Sequence, residues 1–193
     1  VSKLKSVSKF ILAYIFIFSM VSASEPTPKV GLTTVSPVNL SPQELLRRVQ
    51  ARAESLKFGW EKAVFQSRDY AVGGQSVTGL PLIYWKCGDP NSPNRSLVLS
   101  SVHGDEITPV YFGFRLIEWL LEKPERCQDN FIVVAPLVNP DGFLRYSRGT
   151  RTNQNKVDLN RNFDTPEWAA QARKVWKERY SAKRRYFPGE RPG

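Results

Sequence analysis

Histidine is almost absent from this chain: His103 is the only one in 193 residues, so no site built from these residues can rest on two imidazoles. Cysteine is nearly as scarce. Cys87 and Cys127 admit a single pairing, and neither lies near the N-terminal apolar run, so no lipid-bearing cysteine is indicated there. Long apolar runs are missing as well. The longest, Phe10–Met20, is too short to span a bilayer comfortably. Acids are outnumbered, 18 against 28 Lys and Arg, for a formal charge of +10. Such a balance attracts anionic partners, whether nucleic acid, anionic polymers or the carboxylates of cell-wall peptides.

What is present begins with Lys3, Lys5 and Lys9, then that short apolar run, then small residues at Val21-Ser22-Ala23. A basic head, an apolar middle and a small-residue end describe a secretory signal over residues 1–23, cleaved after Ala23. The competing reading is an uncleaved N-terminal anchor. Cleavage implies an exported protein, periplasmic or secreted, with no stable membrane insertion afterwards. It also removes three lysines and no acids, lowering the formal charge from +10 to +7. For an exported protein, cell-wall carboxylates are a more sensible partner than nucleic acid. The basic tail Arg173, Lys174, Lys177, Arg179, Lys183, Arg184 and Arg185 reads most simply as a solvated face. Residues 24–39 are rich in Pro, Ser and Thr without periodicity and read as a flexible leader, so the folded part is residues 40–193. Its size suits one domain.

Ser41-Pro42-Gln43-Glu44 offers a capping serine, a proline at the first helical position and a glutamate three residues after the cap. Leu45, Leu46, Val49, Ala53 and Leu56 then mark one apolar helical face, ending near Gly59. Ala63–Val72 and Leu80–Cys87 read as strands joined across Gly73-Gly74 and Gly79. Leu97–Val102 and Phe131–Val138 add two more, with a helix over Pro109–Leu121 between them carrying Val110, Phe114, Ile117 and Leu121 on one side. A strand–helix–strand run of that length predicts parallel pairing. A last helix, Pro166–Tyr180, opens at Thr165, with Trp168, Val175 and Trp176 as core contacts. Cys87 ends one strand and Cys127 precedes another. Export would favour a disulfide between them, and strand ends too far apart would forbid it.

His103 and Glu106 fall at the strand-to-helix junction, where a spacing of three lets both side chains turn to one point. Imidazole plus carboxylate is a zinc donor pair. By itself His-x-x-Glu equally describes a backbone-bonded histidine beside a capping carboxylate. The second cluster is Asn139-Pro140-Asp141-Gly142, then Arg151-Thr152-Asn153, then Asp158-Leu159-Asn160-Arg161-Asn162-Phe163. Together with Gly74–Leu82, these ordered motifs resemble the zinc carboxypeptidase family typified by carboxypeptidase A. His-Gly-Asp-Glu and Asp-Leu-Asn-Arg-Asn-Phe look most like its bacterial murein peptide amidase branch.

The resemblance implies an α/β fold, three-layer α/β/α around a mixed, largely parallel sheet. It implies one zinc ion, with His103 and Glu106 as two of its three protein ligands and Asp158 holding the far nitrogen of His103. Asn160 and Arg161 match the pair that grips a terminal carboxylate, for which a guanidinium fork is suited. Arg151 matches the arginine that steadies the oxyanion, with Arg148 as its rival. The family's third ligand is a histidine downstream of the Asn-Arg pair and its general base a later glutamate. No histidine follows His103, and Asp164, Glu167, Glu178 and Glu190 lie in no matching context. The chain therefore reads as the N-terminal portion of a catalytic domain, inactive alone. The implied activity is hydrolysis of a C-terminal peptide bond in a peptide with a free carboxylate, of peptidoglycan origin in the amidase branch. A general peptide carboxypeptidase, an acyl-amino-acid deacylase and a carboxylate-binding protein without metal stand beside it. Oligomeric state is not legible.

Overall fold

The computed structural model describes residues 40–60, 65 and 68–193. The expected secretory signal and leader, residues 1–39, lie outside the described residues. Helix α1 spans Pro42–Ser55, and Ser41 caps it by accepting the Glu44 amide at 3.2 Å. Glu44 then takes a two-point bond from Arg47 and a third contact from Arg48, which hold its carboxyl down at about 2. Leu45, Leu46, Val49 and Ala53 are buried, the face that their spacing predicts.

Four strands follow: β1 Ala71–Gln75, β2 Pro81–Gly88, β3 Arg95–Leu99 and β4 Phe131–Ala135. The sheet order is β1-β2-β4-β3, with β1/β2 and β2/β4 antiparallel and β3/β4 parallel. The sheet is thus mixed, and its parallel pair is the one that brackets α2, Ile107–Glu122. The first strand lies later than its sequence pattern suggests. Gly73 and Gly74 sit inside β1, at a bulge between Val72 and Gly74, and do not form the connection. The turn is made instead by Ser76–Leu80, where Ser76 N bonds Leu80 O at 2.8 Å and Gly79 adopts φ +83°. Of the expected Ala63–Val72 strand, residues 63, 64, 66 and 67 lie outside the described set, and 68–70 are not in a strand.

Val110, Phe114 and Ile117 of α2 are fully buried, packed against Ile83 of β2, Val134 of β4 and the apolar face of α1. In the helix's last turn Leu120 is buried and Leu121 is 37 % exposed, the reverse of the predicted stripe. The cause is the short turn Pro124–Cys127, which folds back so that Cys127 joins Leu120 in one cluster. Cys87 and Cys127 are disulfide-bonded, their Cα atoms 5.8 Å apart. The bridge staples the end of β2 to the end of the α2 segment, 40 positions apart in sequence. A Cys87→Ser/Cys127→Ser variant is expected to lose about 2–4 kcal/mol of stability in urea titrations under non-reducing conditions. An unchanged midpoint would show that the bridge contributes nothing.

Beyond β4 the chain forms a short helix α3, Pro140–Leu144, and a longer α4, Trp168–Glu178. The α4 helix starts two residues later than Pro166, without a side-chain cap. Trp168 is buried and Trp176 packs edge-on against Phe187, centroids 5.0 Å apart, consistent with packing roles for these rings. No helix among the described residues is long and apolar enough to cross a membrane.

Candidate metal and substrate site

The parallel strands stay zipped past their formal ends. Ser100 N bonds Ala135 O at 2.9 Å, Val138 N bonds Ser100 O at 2.9 Å and Asn139 N bonds Ser101 O at 3.1 Å. That lays the loop after β3 beside the loop after β4, the carboxyl edge where open α/β sheets hold ligands. Two features fix the join. Gly104 sits so close to α3 that an added Cβ would lie 2.1 Å from the Gly142 carbonyl carbon, so only glycine fits. Asn139 accepts the Gly142 amide at 2.9 Å and donates to Val102 O and Arg151 O at 3.3 Å each, tying three loops together.

Ser101 turns the chain toward the site. It has φ +52°, left-handed for a non-glycine residue, and its hydroxyl donates to His103 O at 3.1 Å. His103 is thereby lifted into a buried position, 5 % exposed, with a carboxylate on each ring nitrogen. Nδ1 lies 2.7 Å from Glu106 Oε1 and Nε2 lies 3.0 Å from Asp158 Oδ1. Burial alone would disfavour the charged ring, but the bonds from Asp158 and Glu106 outweigh it and raise the His103 pKa. Glu106 occupies the N-cap position of α2, as its placement near Pro109 predicts, and its side chain is half exposed.

Asp158 is the centre of the cluster. It is fully buried and accepts from His103, from Arg151 Nε at 2.8 Å and from the Asn160 amide at 3.1 Å, while its own amide bonds Phe187 O at 2.8 Å. Burial pushes its carboxyl up, and the His103 and Arg151 bonds outweigh that and hold it below the usual range. Arg151 also places Nη1 3.6 Å from Glu106 Oε1. Arg148, the alternative to Arg151, is exposed and enters none of these contacts. His103, Glu106, Asp158 and Arg151 are therefore one connected group.

Asn160 and Arg161 form the short turn Leu159–Arg161 capped by Asp158, with the Asn160 residue exposed. Arg161 does not enter the His103 cluster directly. Its Nη1 bonds Asn160 O at 2.8 Å, its Nη2 bonds the Tyr180 hydroxyl at 3.1 Å, and its carbonyl accepts Trp168 Nε1 at 2.8 Å. Two tyrosines that no sequence motif marks connect the arginines. The Arg151 guanidinium lies over Tyr186 at 5.1 Å, the Arg161 guanidinium over Tyr180 at 5.3 Å, and the two rings stack at 4.7 Å. The tail that carries Tyr186 folds back through Arg185, 3.4 Å from Asp105, and through Asn162, whose amide donates to Pro188 O and Arg191 O at 2.7 Å each. Part of the basic tail is thus docked on the site. No local pattern marks these tyrosines, because their contact depends on that long-range return. Asn139 is legible as an Asn-Pro helix cap, although its second role as a clamp on Arg151 is not.

Whether this group suits a metal can be tested on its donors. Nδ1 of His103 and Oε1 of Glu106 face one another at the open side of the cluster, and the other ring nitrogen is anchored on a buried carboxylate, the arrangement that orients a metal-binding imidazole. These two donors fit a zinc ion's preference for imidazole nitrogen and carboxylate oxygen. They do not complete a set. Among the described residues no group of three His, Cys, Asp or Glu side chains is arranged to hold a metal.

With that geometry in view, a family model described as zinc carboxypeptidase matches residues 67–187. Murein peptide amidase A of Vibrio campbellii is 37 % identical over 95 residues, covering 49 % of this chain and 35 % of that protein. Murein peptide amidase A of Escherichia coli K12 is 33 % identical over 123 residues, covering 62 % of this chain and 47 % of its own length. The chain thus spans less than half the length of these curated relatives. Among solved structures, carboxypeptidase A from Helicoverpa armigera aligns over 77 % of this chain and 45 % of that one with a TM-score of 0.52 at 18 % identity, a likeness of fold.

Proposed function

The chain belongs to the zinc carboxypeptidase family, and on that premise we propose that it serves an exported zinc-dependent hydrolase that cleaves a C-terminal peptide bond in peptidoglycan-derived peptides. The observation that carries the reading is the two-sided grip on His103, with Glu106 at one ring nitrogen and buried Asp158 at the other.

His103 Nδ1 and Glu106 would hold the zinc. A bound zinc ion supplies Lewis acidity, which polarises a carbonyl oxygen and lowers the pKa of water. The protein's own part is positional. Asp158 keeps the His103 ring from rotating and holds the proton of Nε2, so Nδ1 faces outward. Arg151, tethered through Nε to Asp158, leaves Nη1 toward Glu106, where a guanidinium steadies the negative charge that develops on a reacting carbonyl oxygen. Arg161 uses two of its donors on Asn160 O and Tyr180, and its remaining N–H groups suit the two oxygens of a terminal carboxylate. Asn160 adds a neutral amide beside it. The stacked tyrosines between the two guanidiniums set their separation, and with it the distance from a gripped carboxylate to the carbonyl under attack.

Support for a cell-wall substrate is the amidase relatives together with the basic charge, which draws carboxylate-rich peptides. Support for export is the lysine-headed apolar segment at residues 3–23 and a disulfide, a bond that persists in oxidising compartments. Binding of L-alanyl-γ-D-glutamyl-diaminopimelate tests the reading. The free acid is expected to bind at least about tenfold more tightly than its C-terminal amide, and Arg161→Ala to erase the difference. Equal affinity for acid and amide in the zinc-supplemented protein would remove the carboxylate grip and the function with it.

A further inference from the structure

Arg185 is a cation at the stacked tyrosines that the chemistry above does not use. Its guanidinium lies 5.3 Å from the ring of Tyr186, the same ring that carries Arg151 at 5.1 Å, and Tyr186 in turn stacks on the Tyr180 that carries Arg161. The other end of its fork is held by the metal loop. Nη2 donates to Oδ2 of Asp105, the neighbour of Glu106, at 3.4 Å. Asp105 keeps Oδ1 buried and offers Oδ2 alone. That contact is long and occupies one of five N–H donors, and the guanidinium makes no other hydrogen bond among the described residues. With Arg185 56 % and Asp105 31 % exposed in their side chains, such a pair adds little to stability. Its remaining donors stand open to a ligand. Arg179, over Tyr180 at 5.7 Å, has no such tie to the metal loop among the described residues.

We propose that Arg185 is a specificity-determining residue that reads a second carboxylate on the substrate, carried by the residue whose carbonyl is attacked. The inference rests on the hydrolase reading above, and the order of the guanidiniums along the tyrosine stack carries it. Arg161, on Tyr180, takes the terminal carboxylate, and Arg151, on the next ring, steadies the carbonyl. Arg185 shares that second ring and reaches the metal loop, so the group that meets it belongs to the residue supplying that carbonyl. A carboxylate suits its free donors, because a guanidinium fork can meet two oxygens at once. An ammonium is repelled by Arg185 and would find only the one outward oxygen of Asp105. The substrate class is therefore a peptide with an acidic residue before the scissile bond. A glutamyl residue linked through its γ-carbonyl has this form, since its α-carboxylate stays free on a short flexible stem.

The test titrates L-alanyl-γ-D-glutamyl-diaminopimelate and its isoglutaminyl counterpart, both with free C-termini, into the zinc-supplemented full chain in a calorimeter. The glutamyl peptide is expected to bind at least about tenfold more tightly. Arg185→Ala should erase that difference, and Arg185→Lys should keep part of it, since it retains the charge without the fork. Arg161→Ala should weaken both peptides alike. Arg185 is exposed and makes one long contact, so its variants are expected to fold. Equal affinity for the two peptides in the wild type overturns the assignment, as does a difference that survives Arg185→Ala. If the preference for a C-terminal acid over its amide stands while the glutamyl preference fails, this assignment falls alone. If both fail, the carboxylate grip falls with it. A loss of affinity on N-acetylating the alanine that exceeds the loss on amidating the glutamate, and that Asp105→Asn abolishes, would give the reading to Asp105 and overturn the proposal.

Discussion

His103→Ala is expected to abolish zinc binding. In the wild-type chain, zinc is expected to raise the thermal midpoint, because a ligand that binds only the folded state stabilises it by mass action. The variant should show no zinc-dependent shift. No other imidazole exists in the chain to take over, and Glu106 alone is a single exposed carboxylate. Loss of a directly bound ligand should exceed the 10–100-fold in affinity typical of removing an outer partner, so a drop of more than about 100-fold is expected. Glu106→Gln should fall between the two, since an amide oxygen is a weaker donor than a carboxylate. A metal analysis that finds equal zinc in wild type and His103→Ala would assign the ion elsewhere. Tight binding of the free-acid tripeptide with no zinc in either protein would favour a metal-free carboxylate-binding protein.

Asp158→Ala is expected to be the most destabilising single substitution in the site. Its carboxylate is fully buried and receives three bonds, from a ring nitrogen, a guanidinium and a backbone amide. Truncation leaves Arg151 charged and nearly buried, at 13 % side-chain exposure, and leaves the ring without its anchor. Breaking a buried ion pair by removing one partner costs about 3–5 kcal/mol. The loss is expected to appear in chemical denaturation without zinc, which separates it from any effect on metal affinity. Asp158→Asn retains an acceptor oxygen and the shape, so it should recover part of the stability while still weakening zinc by about 10–100-fold. Both variants within about 0.5 kcal/mol of wild type would mean that the buried network is not what holds these loops together.

Local chemistry made much of the framework legible. Helix α1 follows from Ser41, Pro42 and Glu44, because a cap acts within one turn and needs nothing distant. The parallel β3/β4 pair follows from a strand–helix–strand run whose length forbids a hairpin. Errors fell where a choice depended on partners. Gly73-Gly74 resembles a turn in isolation, but pairing with Leu82 and Ile83 makes it a bulge within β1. Leu121 has the spacing of a core residue, yet the disulfide-linked turn covers Leu120 instead.

The site divides the same way. By itself the sequence determined which residue types were available, a single imidazole with a carboxylate three positions on and a later Asp-Leu-Asn-Arg, together with the family these motifs mark. The resemblance already pointed to Asp158 at the far nitrogen of His103 and to Arg151 ahead of Arg148, and the tertiary structure places both in one cluster; only the tertiary structure decided that Tyr180 and Tyr186 stack between the two arginines. The physical reason is range. Caps, turns and periodicity act over a few residues, whereas this cluster joins separate loops, with His103 and Asp158 55 positions apart, and only close packing of the folded chain brings such side chains within hydrogen-bonding distance.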